Sequence, residues 1–149
     1  RDVAPSRGLG DVYKRQVVDL TVRLAREFGV KCLILCDTAH VFQKEGAETL
    51  TVSKGADSVD FALVNRVEPG DIAVTQDYGL AAMCLAKRAL PLSQDGLLYT
   101  EENIGALLQS RYAAQKIRRS GGRLKGPKKR TSEQDAAFER TLRRLLQLR

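Results

Sequence analysis

The sequence has no long apolar run and no nucleophile motif, and each absence argues against a class of protein. No apolar stretch approaches the roughly 18 residues that a membrane-spanning helix needs, so no membrane partner is expected. The first residues lack an apolar segment followed by a small-residue cleavage site, so no secretory signal is expected. No serine or cysteine lies in a supporting catalytic motif, and no glycine-rich phosphate loop is present.

Cysteine is scarce, and its placement argues against disulfides. The chain of 149 residues contains Cys32, Cys36 and Cys84. The first two fall four apart in a predicted strand, on one face but too far apart to bridge. Buried reduced thiols fit a cytoplasmic protein with no disulfide-linked partner. Cys32, Cys36 and His40 are spaced like possible metal ligands, but no second pair of ligands completes a zinc site. His40 is therefore interpreted as a surface-loop residue rather than as a ligand.

Acidic residues are missing from one strongly basic segment. Residues 116–130 contain eight cations and no acid, so their charge of +8 exceeds the chain's net +7 and leaves the rest at −1. Contact with a phosphate backbone is one interpretation, and a solvated loop that aids solubility is the other. No aromatic residue interleaves the cations, so binding would depend little on sequence. The candidate nucleic-acid contacts are Arg118, Arg119, Arg123, Lys125, Lys128, Lys129 and Arg130.

Helical and strand patterns alternate from residue 17 onward, which predicts an α/β domain with a mostly parallel sheet. Helices are expected at 17–29, 56–67, 80–87, 100–118 and 132–147, with Thr100 and Thr131 or Ser132 as N-terminal caps. Strands are expected at 31–36, 49–52, 72–75 and 89–92. The 43% hydrophobic content suffices for one core, and 17–149 is predicted to be one domain.

Residues 1–16 differ from the rest of the sequence, because proline and glycine are scattered through a basic segment without periodicity. We interpret them as a foreign sequence joined to a truncated gene, such as a sequencing adaptor; a divergent natural N-terminus is the alternative. They are expected to pack poorly and to supply no paired central strand.

Three aspartates lie at predicted strand or helix ends. Asp57 and Asp60, three apart at the start of the middle helix, share one helical face, and Asp77 follows the strand at 72–75. Ligands of open α/β sheets bind at the carboxyl ends of the strands, where such carboxylates could hold Mg²⁺ or Mn²⁺ for phosphodiester hydrolysis. The alternative is structural: Asp57 as a first-turn residue, Asp60 solvated and Asp77 as a helix cap. Asp37 also follows a strand but has weaker context.

Three stretches, in this order and spacing, resemble the bacterial YaiI/YqxD family: GADSVDFALVNRVEPGDIAVTQDYGLAAMCLAK, LLYTEENI and RRSGGRLKGPKKRT. The resemblance covers about residue 17 to the C-terminus. It implies a three-layer fold similar to PIN-like nuclease domains, which are Rossmann-like, with a metal-dependent acidic site. Carried over position by position, that site consists of Asp57, Asp60 and Asp77.

The chain departs from the family at its first strand. Family members open with an apolar strand ending in Asp-Ala-Asp-Ala-Cys-Pro, where this chain has GDVYKRQ. The first strand and its site carboxylates are therefore expected to be missing or replaced, which puts catalysis by this chain in doubt. Two hypotheses follow: a metal-dependent nuclease acting on RNA or another phosphodiester, and a non-catalytic nucleic-acid-binding module on the same fold.

Overall fold

The computed structural model describes residues 2–5, 12–37, 45–52, 58–119 and 131–148. The strands are β1 (Asp2–Pro5), β2 (Lys31–Asp37), β3 (Glu48–Val52), β4 (Ile72–Val74) and β5 (Leu90–Leu92). The helices are α1 (Val12–Phe28), α2 (Ser58–Arg66), α3 (Tyr78–Ala86), α4 (Glu101–Arg119) and α5 (Ser132–Gln147). None of these helices is long and apolar enough to cross a membrane, in the part of the chain that the structure describes.

The five strands form one parallel sheet in the order β3-β2-β1-β4-β5, which confirms the predicted α/β class. The longest ladder pairs β2 with β3, from Leu33 opposite Glu48 to Asp37 opposite Val52. β2 and β3 extend the sheet on one side of β1, and β4 and β5 extend it on the other side, so β1 lies in the centre. In such a sheet every strand ends at the same edge.

The prediction that residues 1–16 supply no paired central strand is wrong. β1 lies between β2 and β4, with Val3 opposite both Cys32 and Ile72. A central strand of a parallel sheet is buried on both faces, so it needs no polar alternation, and four residues are too few for a periodic pattern. The absence of alternation was therefore a poor criterion for this segment.

The first helix also begins earlier than predicted. α1 starts at Val12, five residues before the expected start at Val17, and ends at Phe28 before Gly29, whose positive φ of 67° terminates the helix as expected. The other predicted helices and strands are confirmed with ends that differ by one or two residues, which is ordinary for fraying termini.

Two apolar layers enclose the sheet, and β4 shows how they are separated. Ile72 and Val74 pack into one cluster, to which α1 and α5 contribute Leu24 and Phe138. Ala73, between them in sequence, points to the other face and packs in a cluster with Leu63 of α2 and Leu80 of α3. Successive side chains of a strand alternate between faces, so one three-residue strand anchors both layers.

The C-terminal helix is fixed at its start and along its length. Thr131 forms a capping box with Gln134, each side chain accepting from the other residue's backbone N–H. Further along, Thr141 Oγ1 donates to the Gly96 carbonyl at 2.7 Å. A Cβ at Gly96 would lie 2.5 Å from the Ala137 carbonyl oxygen, so only glycine lets this turn approach α5 so closely.

All three cysteines are free and buried, as predicted. Burial raises the pKa of the Cys32 thiol to about 12 and, together with the Asp60 charge, that of Cys84 to about 11.

We expect the folded protein to react slowly with a thiol reagent at mildly alkaline pH and the unfolded protein rapidly. Because the unfolded thiols ionise first, stability should fall as pH rises from about 9 towards 12, which urea titrations at several pH values would measure.

Candidate active site at the carboxyl edge of the sheet

The two strands β4 and β5 are followed by the same kind of tripeptide. Val74 is followed by Thr75-Gln76-Asp77, and Leu92 by Ser93-Gln94-Asp95. Because the strands are neighbours in parallel register, with Val74 opposite Leu92, the two hydroxyl-Gln-Asp sequences leave the sheet side by side. The carboxyl edge therefore carries two aspartates on adjacent connections.

The backbone turns in the same way at both places. The Asp77 N–H donates to Thr75 Oγ1 at 3.0 Å, and the Asp95 N–H donates to Ser93 Oγ at 3.2 Å. A third bond joins the two turns, because the Gln94 N–H donates to Gln76 Oε1 at 2.7 Å. Short hydroxyl-to-backbone bonds of this kind stabilise a turn where the strand ladder ends.

Asp77 begins the helix that follows β4. Its Oδ1 accepts from the Leu80 N–H at 3.1 Å, so the helix-cap interpretation is confirmed. The carboxylate is half-buried at the N-terminus of α3, where the helix dipole favours a negative charge. A cap of this kind also holds the carboxylate in one orientation at the edge of the sheet.

Tyr99 contacts the residues that follow β4. It is buried, and its hydroxyl donates to the Thr75 carbonyl at 3.1 Å. Its ring meets that of Tyr78 edge to face, with centroids 5.9 Å apart. Burial raises the pKa of Tyr99 well above its usual range, and Tyr78, then Asp95 and Asp77, raise it further through their charges. Tyr99, which follows β5, therefore contacts Thr75 and Tyr78, which follow β4.

The other predicted acids are placed differently. Asp60 lies in the first turn of α2, partly buried, and its charge acts on the Cys84 thiol of α3. Asp57 precedes α2 and lies outside the described residues. Among the residues described, no group of three or more His, Cys, Asp or Glu side chains could hold a metal ion. The site formed by Asp57, Asp60 and Asp77 stays a prediction.

The first strand brings no acid to this edge. Its only acidic residue, Asp2, is its first, and Pro5 is the residue opposite Val74 at the carboxyl end. At about 3.3 Å per residue, Asp2 begins roughly 10 Å from the carboxyl end of the strand. The strand expected to be missing is thus present, but its described residues, 2–5, place no carboxylate at its carboxyl end.

Most of the basic segment lies outside the described residues. α4 continues to Arg119, so Arg118 and Arg119 stand in its last turn, and the structure does not describe residues 120–130. The nucleic-acid contacts predicted at these two arginines stay predictions, as do those at Arg123, Lys125, Lys128, Lys129 and Arg130.

Sequence reasoning missed Asp95, Thr75 and Tyr99. The recurrence of hydroxyl-Gln-Asp after two apolar strands could have indicated the first two. No local pattern marks Tyr99, because its role depends on a contact 24 residues away.

The chain is similar to proteins of one bacterial family. The model of the uncharacterised YaiI/YqxD family matches residues 10–148. A UPF0178 protein of Exiguobacterium sibiricum is 56% identical over 130 residues, which are 87% of this chain and 89% of the relative. One of Natranaerobius thermophilus is 41% identical over 138 residues, 93% and 94% of the two chains. No solved structure matches, so the PIN-like fold stays a prediction.

Proposed function

We propose that this chain, which belongs to the uncharacterised YaiI/YqxD family, is a divalent-metal-dependent, nuclease-like protein that acts on RNA or another phosphodiester. The observation that carries the proposal is the position of Asp77, a half-buried carboxylate held at the carboxyl end of β4 by the N-terminus of α3. Catalytic groups of parallel α/β folds occupy this edge. We further propose a PIN-like fold and a cytoplasmic location, the latter because all three cysteines are free.

The metal is proposed to be Mg²⁺ or Mn²⁺, bound by few protein ligands. Mg²⁺ keeps several waters and is commonly held by one or two carboxylates together with substrate phosphates. Asp77 fits this role, and the further candidates are Asp95 on the neighbouring connection, Asp60 of α2 and, outside the described residues, Asp57. The bound metal would supply an activated water and stabilise charge on the phosphoryl group. The chain's own residues hold Asp77 in place through Thr75 and the α3 backbone.

Replacing Asp77 by asparagine tests the metal proposal without removing the helix cap. Asparagine keeps an oxygen that accepts from the Leu80 N–H, so the fold should be retained. We expect Mn²⁺ affinity, measured by calorimetry, to fall roughly tenfold or more, since the ligand loses its charge. The control is Asp71→Asn at the amino end of the same strand, where Asp71 Oδ2 accepts from the Glu68 N–H. Equal Mn²⁺ affinity in the two variants would contradict the proposal.

A second candidate function is a non-catalytic nucleic-acid-binding module. The specific observation in its favour is that β1 ends in Pro5 rather than in acids, so the described residues of the central strand supply no carboxylate to this edge. The concentrated charge of residues 116–130 also favours it.

A ribonuclease assay with Mn²⁺ or Mg²⁺ distinguishes the two candidates. The chain is compared with a variant whose first strand ends in Asp-Ala-Asp-Ala-Cys-Pro. Cleavage by the variant, lost again on Asp77→Asn, would support a nuclease whose central acids are absent here. RNA binding without cleavage by both proteins would support the binding module instead.

A further inference from the structure

Tyr78 is an aromatic side chain that stands directly beside the candidate carboxylate. It follows Asp77 in sequence and is the first residue of α3, and its side chain is half-buried rather than enclosed. Neighbouring Cα atoms are about 3.8 Å apart, so a partly accessible ring lies next to the proposed metal ligand at the carboxyl edge of the sheet. This edge therefore offers an aromatic surface as well as a charge.

The fold holds the Tyr78 ring in place without enclosing it. The ring of Tyr99 meets it at an interplanar angle of 66°, and Tyr99 is itself held by the hydrogen bond from its hydroxyl to the Thr75 carbonyl. Rings at such an angle contact edge to face rather than face to face, so Tyr99 covers at most one face of Tyr78. A ring with a fixed orientation loses little conformational entropy when a flat ligand packs on it.

The connection after β5 exposes a second apolar side chain at the same edge. Leu97, two residues after Asp95, is 44% exposed, and its backbone N–H donates to Ser93 Oγ in the turn at the end of β5. Both hydroxyl-Gln-Asp sequences are thus followed by an accessible apolar side chain. Sites for organic ligands combine apolar and aromatic surface with a few polar groups, and this edge has both.

We propose that Tyr78 stacks on an unpaired nucleobase beside the phosphate bound at Asp77, which makes single-stranded nucleic acid the substrate class of this site. The inference rests on the proposed function, because a phosphodiester at Asp77 is what brings a base to Tyr78. Bases inside a duplex have both faces covered by neighbouring base pairs, so a duplex would have to be opened first. Stacking accepts every base, since each has a π face, and therefore adds affinity without adding sequence preference.

Two fluorescent RNA strands of about ten nucleotides test the proposal by anisotropy. One is oligouridylate, and the other has the same sugar-phosphate backbone without bases. Ca²⁺ replaces Mg²⁺, and gel electrophoresis checks that the strands stay intact. Tyr78→Leu should weaken binding of oligouridylate roughly tenfold and leave binding of the abasic strand unchanged, because it removes a stacking surface and no phosphate contact. Tyr78→Phe keeps the ring and should retain the unaltered affinity.

Tyr78→Trp gives a second readout that does not depend on affinity. The chain has no tryptophan, so this variant carries a single tryptophan fluorophore. Oligouridylate should quench its fluorescence by stacking, and the abasic strand should not. The matched control is Phe28→Leu, which removes another half-buried ring at the opposite edge of the sheet, where Arg143 Cζ lies 5.8 Å from the ring centroid. It should leave both affinities unchanged.

The stacking proposal is overturned if Tyr78→Leu binds both strands as the unaltered protein does, or if oligouridylate leaves the fluorescence of the Tyr78→Trp protein unquenched. A ribonuclease assay with Mg²⁺ keeps this outcome separate from the proposed function. Cleavage by a Tyr78→Leu protein with unaltered binding would overturn stacking alone. Base-dependent binding and quenching, without cleavage by the unaltered protein, would support stacking and overturn the nuclease proposal. A protein that bound neither strand would overturn both.

Discussion

Replacing Phe138 by alanine is expected to lower the free energy of unfolding by about 3–5 kcal/mol. Phe138 is fully buried in the cluster that joins α1 and α5 to the sheet, where it packs with Ile72, Val74 and Leu92. Removing the ring loses its transfer free energy and leaves a cavity that a rigid sheet cannot fill. Because whole domains are stable by only about 5–15 kcal/mol, the loss would be a large fraction of the total.

Urea titration followed by far-ultraviolet circular dichroism measures this change. Leu148→Ala is the matched control, since that side chain at the end of the same helix is 62% exposed. It should alter the free energy of unfolding by no more than about 0.5 kcal/mol. A loss below about 1 kcal/mol for Phe138→Ala would mean that α5 contributes little to the core, contrary to its position.

Most of the fold could be predicted from the sequence because its determinants are local. Thr131 precedes an apolar stripe with Gln134 three residues on, and the structure has a capping box there. The apolar runs around Ile34 and Ala73 are short and bounded by turns, and both are buried strands. These signals depend on neighbours in sequence, so they survive without tertiary information.

The central strand could not be predicted, because its determinants are distant. Asp-Val-Ala-Pro has no pattern of its own, and only its position between Cys32 and Ile72 makes it a strand. The start of α1 was misplaced for a related reason. Tyr13, Lys14 and Arg15 are compatible with a helix, but they show no apolar periodicity that would indicate one. Pairing with neighbouring strands, rather than local sequence preference, therefore determines the conformation of this segment.

The candidate site was only partly accessible from the sequence. Asp77 was identified at the strand-to-helix join, and its capping geometry agrees with that position. Tyr99 was missed because its hydroxyl donates to the Thr75 carbonyl, and these residues lie 24 positions apart in sequence. Asp57 lies outside the described residues, so the predicted acidic group stays a prediction.

If residues 116–130 track a single-stranded nucleic acid, binding must depend steeply on salt. Each neutralised phosphate contributes a slope of about −0.7 in log K against log salt, and about half of the eight cations can face one strand at once. The expected slope is about −3, which corresponds to roughly a sixtyfold loss of affinity between 50 mM and 200 mM salt. Changing Arg123, Lys125, Lys128 and Lys129 to alanine should flatten the slope and weaken binding to every sequence alike.

Filter-binding titrations across salt concentrations measure both quantities, and a pair of double variants removes the effect of net charge. Lys128→Ala with Lys129→Ala loses the same charge as Arg140→Ala with Arg144→Ala, whose side chains are exposed on α5. We expect only the first pair to reduce the slope, by about 1 or more, because counterion release depends on contacts with phosphates rather than on total charge. A quadruple variant that kept full affinity and full slope would leave the other interpretation of residues 116–130, a solvated segment that aids solubility.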